Sequence, residues 1–288
     1  ALDANDASVG CSAERGDLLD GNEGDDLLVG GVNADLLMGG ADSDLLIGGA
    51  GNDDLFGDLT TTMFWRDWSI VREIVDAEVY VHHFLKIEFT TAAGGNDLMF
   101  GGAGDDWFNG DGGDDFIDGG ADNDVAFGSE GDDQILGSAG NDTLSGDRPD
   151  DAHPQGNSLP GSLHGNDYVD GGTGDDSLLG SGGDDEIIGG EGDDKLLGDD
   201  ASTPGQFHGK DYLTGGAGND TIVGNGNDDE ILGGDGDDHL EGDDGRLDSE
   251  YHGNDTLVGG TGKDGLIGGG MDDVLYGGEG DDILKGDN

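Results

Sequence analysis

The sequence predicts an all-β protein: a parallel β-roll, that is, a right-handed β-solenoid of Gly-Gly-x-Gly-x-Asp-x-U-x repeats in which U is a large apolar residue, with one small α+β insertion. Three observations carry this expectation. Aspartates recur every nine residues through most of the chain. An apolar residue stands two places after each of them. The 64 glycines among 288 residues are phased with both, whereas a disordered chain of this composition would scatter them.

Charge narrows the partners. Asp and Glu number 68 against 10 Lys and Arg, a formal net charge of -58. Such a balance with little apolar content would by itself predict disorder, so the composition must be read through the repeat. Nucleic acid and anionic membrane surfaces would be repelled, and a cation is the partner the charge calls for. No apolar run reaches the ~18 residues of a membrane-spanning helix. Ala1 to Gly10 lacks a basic region followed by an apolar stretch, so no signal peptide is read there. Cys11 is the sole cysteine and leaves no internal disulfide.

The register runs in five blocks. Block 1 (1–57) carries Asp17, Asp26, Asp35, Asp44 and Asp53. Block 2 (94–147) carries Asp97, Asp106, Asp115, Asp124, Asp133 and Asp142. Block 3 (164–199) has Asp167, Asp176, Asp185 and Asp194, and block 4 (208–243) has Asp211, Asp220, Asp229 and Asp238. Block 5 (252–288) has Asp255, Asp264, Asp273 and Asp282, for 23 aspartates in register. The U position is Leu, Ile, Val or Phe throughout, except at Met99 and Ala126. Loops at 148–163, 200–207 and 244–251 and an aromatic-rich insertion at 58–93 separate the blocks.

Local chemistry turns this register into geometry. Glycine tolerates positive φ, so Gly-Gly-x-Gly-x-Asp suits a tight turn, and x-U-x suits a short strand. Two nonapeptides then make one coil of 18 residues, with U side chains stacked inward between two parallel sheets. Equivalent aspartates fall one above another at about 4.8 Å, where bare carboxylates repel. Two buried U residues per coil are few to order 18 residues, so an apo coil is expected to be unstable.

Segments such as Gly48-Gly49-Ala50-Gly51-Asn52-Asp53-Asp54-Leu55-Phe56 and Gly189-Gly190-Glu191-Gly192-Asp193-Asp194-Lys195-Leu196-Leu197 resemble the RTX, or haemolysin-type, calcium-binding repeat. The resemblance covers nearly the whole chain outside 58–93 and the shorter loops. It implies Ca²⁺ ions, several of them, between successive coils. The position-six aspartates named above would supply carboxylate oxygens, with carbonyls of the glycine turns completing a shell of six to eight oxygens. Thirteen aspartate pairs lie 18 apart within blocks, from 17/35 to 264/282, and thirteen ions would reduce the formal charge to about -32.

Departures from the pattern are few. The third Gly is replaced by Asn33, Asp42, Asp122, Asn227 and Met271. Asn and Asp accept the left-handed region, whereas Met271 puts the turn before Asp273 in question. Ala126 predicts a thin spot in the core. Each block ends in Gly-Asp, and three loops re-enter through His164, His208 and His252 followed by Gly-x-Asp. Asp194 to Asp211 and Asp238 to Asp255 are each 17 apart, one coil less one residue. The expectation is that a loop replaces one turn, the roll continues, and the sites beside it are altered or lost. The histidines are read as hydrogen-bonding residues that close their loops.

The insertion 58–93 contains no Gly. Phe64, Trp68, Val71 and Val75 follow helical spacing, and Val79 to Phe89 alternate, predicting a helix near 62–77 and a strand near 79–90. The segment either packs on the flank of the roll or forms a contact surface.

Function follows the resemblance: the calcium-binding repeat region of a secreted bacterial protein, extracellular or at the cell surface, folding on Ca²⁺ after type I secretion. The alternative is a structural subunit of an adhesin stalk, surface layer or filament, self-associating end to end or through residues 62–90. No G-x-S-x-G or H-E-x-x-H motif is present, so no catalytic residues are assigned and an enzyme is not expected. The family often carries a catalytic domain elsewhere, and the stop at Asp287-Asn288 reads as an excerpt from a longer protein.

Overall fold

A computed structural model describes residues 17–57, 59–61, 70–75, 78–83, 89–91, 95–147, 164–200, 205–243 and 250–286. Two parallel sheets, of twelve and eleven strands, run the length of the repeats. Successive strands alternate between them: Leu18–Glu23 lies in the first, Leu27–Gly31 in the second, Leu36–Ala41 in the first again. Within each sheet the register is one coil, so Leu19 pairs with Leu37 and Leu28 with Leu46.

Most strands are longer than x-U-x. In Leu45–Ala50 the strand continues into the glycine pair, and the reversal begins at its second glycine. Gly49 (φ 117°) and Gly51 (φ 134°) make that reversal in conformations a Cβ disfavours. The substituted third glycines behave alike: Asp42, Asp122, Asn227 and Met271 have φ of 77°, 81°, 65° and 75°. Asn33 does not adopt positive φ. The turn at Met271 is therefore made, against the steric cost of its Cβ.

The interior is a single file of U residues. Twenty of them, from Leu28 to Leu266, form one buried cluster, with Leu19 and Leu275 packed against it. Ala126 is itself buried in this file. Its registered neighbour is Phe108, the bulkiest of the fully buried side chains.

The interruptions differ from expectation in one respect. The roll does continue, but a loop lengthens one half-coil and replaces no turn. Strand Lys195–Asp199 pairs with Thr221–Val223, and Asp194 is stacked on Asp220, not on Asp211. The chain simply travels further before re-entering the same ladder. Across the long insertion, Leu45–Ala50 likewise pairs directly with Leu98–Ala103.

Within the insertion, the helix predicted near 62–77 is corrected. Ile70–Val75 is a strand, paired antiparallel with Glu78–His83. Val71 and Val75 fit either a helical or an extended period, and the β-branched run Ile70, Val71, Ile74, Val75 favours extension. The strand predicted near 79–90 is found as Glu78–His83 and Phe89–Thr91. Residues 62–69 and 84–88 lie outside the described residues. Leu59–Thr61 pairs with Phe89–Thr91.

Candidate metal centre

The position-six aspartates stand at the turns immediately before the strands, and the two-sheet topology sorts them into two columns. One column precedes the twelve-stranded sheet: Asp17, Asp35, Asp53, Asp106, Asp124, Asp142, Asp176, Asp194, Asp220, Asp238, Asp264 and Asp282. The other precedes the eleven-stranded sheet: Asp26, Asp44, Asp97, Asp115, Asp133, Asp167, Asp185, Asp211, Asp229, Asp255 and Asp273.

One hydrogen bond repeats along both columns. The backbone N–H of each aspartate donates to Oδ1 of the aspartate one coil further on, as from Asp35 to Asp53 at 2.7 Å and from Asp211 to Asp229 at 2.9 Å. All thirteen pairs seen in the sequence are joined in this way. Eight further pairs bridge the interruptions: 44/97, 53/106, 133/167, 142/176, 185/211, 194/220, 229/255 and 238/264. Sequence spacing hid these, because the separations are 53, 34 and 26 residues.

The second oxygen is the chemically telling one. In Asp35, Asp44, Asp53, Asp97, Asp106, Asp124, Asp133, Asp142, Asp167, Asp176, Asp185, Asp194, Asp211, Asp220, Asp229, Asp238, Asp255 and Asp264, Oδ2 is buried and meets no hydrogen-bond donor. A buried carboxylate oxygen in that state carries a large desolvation cost unless a cation compensates it. A second oxygen points at the same place. A methyl added to Gly30 would run into Oδ2 of Asp35 and the carbonyl oxygen of Gly48 in the next coil. The same holds for Gly215 against Asp220 and Gly233, and for Gly189 against Asp194 and Gly215. The first glycine of these repeats thus keeps open a cradle walled by carboxylate and carbonyl oxygens of successive coils. Hard oxygen donors of this kind suit Ca²⁺.

Among the described residues no three His, Cys, Asp or Glu side chains converge on one point. Each cradle must therefore draw much of its oxygen from the backbone. The neighbouring position-five aspartates are differently employed. They are exposed, and their bonds run the other way, with Asp132 N–H donating to Asp114 Oδ1 at 3.2 Å. The abundant Asp-Asp pairs are therefore not two equivalent ligands.

Electrostatics agree with the geometry. Burial pushes the Asp106 and Asp124 carboxyls up to about 7, against the lowering effect of the backbone N–H bond each accepts, with neighbouring aspartates raising them further. Asp220 and Asp238 are raised to about 6 by the same causes. In the second column burial is more severe: Asp133 is driven to about 10, with Asp167 adding to the effect, and Asp255 to about 8. Without a cation these columns resist holding their charge.

Of the three histidines, His164 makes the expected hydrogen bond, while His208 and His252 only come within ion-pair range of a buried aspartate. His164 Nδ1 lies 2.6 Å from Oδ2 of Asp147. His208 and His252 approach Asp199 and Asp243 at 3.6 and 3.7 Å. These acceptors are the block-ending aspartates of Gly-Asp, all fully buried. Sequence reasoning gave them no role. The signal that would have found them is Gly182, Gly226 and Gly270, each 18 residues after a histidine and each lying against its ring.

No helix among the described residues is long and apolar enough to cross a membrane. A model of the RTX calcium-binding nonapeptide repeat (4 copies) matches residues 14–37, 29–59, 91–126, 118–151, 165–200, 209–240 and 252–284. No curated protein matches the chain. With matches spanning well over half its length and carboxylates and glycines in the arrangement such repeats require, the chain belongs to the family of RTX calcium-binding nonapeptide repeats.

Proposed function

We propose that the chain is the calcium-folded repeat region of a secreted bacterial protein, exported unfolded by a type I secretion system and ordered by Ca²⁺ outside the cell. The observation that carries this reading is the row of buried, donor-free Oδ2 atoms in both columns, with a backbone carbonyl of the next coil at the same cradle in repeats such as those of Asp35, Asp194 and Asp220. All 23 position-six aspartates are the proposed ligands. Bound calcium supplies positive charge between coils and a coordination shell for these oxygens. The chain's part is to hold the oxygens at one-coil spacing, to keep side chains out of the cradle through glycine, and to fix each Oδ1 by a backbone bond.

Export and folding are linked by energetics. A thin file of aliphatic side chains and repelling carboxylate columns leaves the metal-free chain little reason to fold, so binding free energy becomes folding free energy. Extracellular calcium sites work with Kd of about 10⁻⁴ to 10⁻³ M, which keeps such a chain unfolded where the cation is scarce. Nothing in the site offers a nucleophile, base and oxyanion donor together, and the reading is of a binding and scaffolding module.

The test is circular dichroism of the chain during a Ca²⁺ titration, with reversal by chelator. A cooperative gain of β signal, undone by chelation, is expected. A β-rich fold that survives exhaustive chelation and ignores added calcium would sink the proposal. Light scattering in the same titration separates a monomeric module from one that assembles with calcium into a larger structure.

A further inference from the structure

All four interruptions of the repeat leave the roll on one side. The first aspartates after them, Asp97, Asp167, Asp211 and Asp255, belong to the column that precedes the eleven-stranded sheet. The turns of the other column, from Asp35 to Asp282, are uninterrupted.

On the interrupted side the loop ends form a wall. The His164 ring stacks on Phe207 with centroids 6.2 Å apart. The Gly183 N–H donates to the Phe207 carbonyl at 3.2 Å, and the Asn227 N–H donates to that of Tyr251 at 2.9 Å. Asn227 Nδ2 donates to the His208 carbonyl at 2.5 Å. Gly183 and His208, and Asn227 and His252, form parallel bridges.

The wall is anchored by the histidine–aspartate contacts. Asp199 also accepts from the N–H groups of Gly209 (3.2 Å) and Gly226 (3.4 Å), and Asp243 from those of Gly253 (3.3 Å) and Gly270 (3.2 Å). Each aspartate thus ties the re-entering loop to the turn of the following coil. A methyl on Gly226 would strike His208 Nδ1, although Gly226 itself does not have positive φ. Its missing side chain makes room for the imidazole.

We propose that these latches divide the cation sites into two kinetic classes. Sites of the loop-bearing column between Asp133 and Asp255 exchange their ion only when a latch opens. Sites of the uninterrupted column exchange directly with solvent. This rests on the calcium reading above and adds to it a role for His164, His208 and His252 as positioning residues. The physical reason is that ion escape on the walled side requires breaking buried contacts shared by two coils, a local opening with its own free energy. Among the described residues no histidine–aspartate contact stands over the turns of the bare side.

The test is stopped-flow mixing of the calcium-loaded full chain with excess fluorescent chelator. A fast majority phase and a slow minority phase are expected. His208→Ala removes the latch, and Gly226→Ala keeps the histidine but drives a methyl into its ring. Each should speed about tenfold the part of the slow phase released beside that latch and leave the fast rate unchanged. The double variant should be no faster than either single one. His252→Ala repeats the test at a latch nearer the surface, which keeps the experiment decisive should a change at position 208 prevent folding. A single release phase in the parent chain, or equal acceleration of both phases, overturns the proposal. Total calcium bound, measured by equilibrium dialysis, tells the two readings apart. A chain that binds none overturns both, and one that binds a full complement released in one phase overturns only this one.

Discussion

The backbone N–H of Asp133 donates to Oδ1 of Asp167 at 2.8 Å, the same distance at which Asp167 reaches Asp185, although the first pair is 34 residues apart and the second 18. The column does not register the loop between them. The proposed cation sites at the junctions thus share this bond with those within blocks, and substitutions on either side of a loop should be felt by both coils.

Asp220→Asn tests the charge alone. The amide oxygen can still accept from the Asp194 N–H, which Asp220 Oδ1 now meets at 2.9 Å. One carboxylate shared by two coils is lost, however. The calcium midpoint of folding should rise several-fold, with at least one fewer ion bound by equilibrium dialysis. An unchanged midpoint would remove Asp220 from the ligand set.

Gly215→Ala tests the cradle. The added methyl would meet Asp220 Oδ2 and the Gly233 carbonyl oxygen, and Gly215 does not have positive φ, so backbone strain is not the issue. The expected result is a higher calcium midpoint and reduced ion stoichiometry in the titration. Gly286→Ala, where nothing lies within 4 Å of the added methyl, should leave both unchanged.

The metal-free chain should respond to acid in an unusual sense. Burial raises the folded-state pKa of Asp106 and Asp124 to about 7 and of Asp220 and Asp238 to about 6, from 3.8. Folding then favours the protonated form. That contribution is fully present below about pH 4 and is lost as pH rises through 6 and 7. With chelator present, β signal by circular dichroism should increase on acidification from pH 8 to pH 4. With calcium present protons compete with the ion, and bound calcium should fall over the same range. A flat or opposite metal-free response contradicts the burial of these carboxyls.

Phe108→Ala should be among the most damaging core changes. Its neighbour in register is already Ala126, so two small residues would face each other in a single-file interior. A loss of about 3 to 5 kcal/mol is expected, read from denaturant unfolding at saturating calcium. Ala126→Leu combined with Phe108→Leu should recover part of it.

Met271→Gly should stabilise. Met271 holds φ of 75° and is half exposed, so its side chain gives little packing in return for strain. Relief of about 1 to 2 kcal/mol, partly offset by the greater freedom of glycine in the unfolded chain, should lower the calcium midpoint slightly.

Much of this architecture is legible in the sequence because two independent periods coincide. Asp35 and Leu37, Asp53 and Leu55, Asp194 and Leu196 repeat a polar and an apolar position in phase, which dictates turn, strand and interior together. The pairing of Asp194 was less legible. A separation of 17 from Asp211 resembles a shortened coil, and only the ladder reveals that Asp211 lies in the opposite column. The segment 70–75 is ambiguous in sequence because Val71 and Val75 satisfy a helical spacing as well as the extended one it adopts. The latches escaped because their acceptors, Asp147, Asp199 and Asp243, occupy the second glycine position of the repeat, and so look like mere block ends.

That every detour rejoins the ladder in register has a metrical consequence. The protein's extent along its axis counts coils, not residues. Twelve strands at the usual spacing of about 4.8 Å span about 53 Å, however much chain is spent between Asp53 and Asp106 or between Asp142 and Asp176. The roll is in effect a ruler: appendages of any size can be hung from one margin without altering its graduation, while the opposite margin stays smooth.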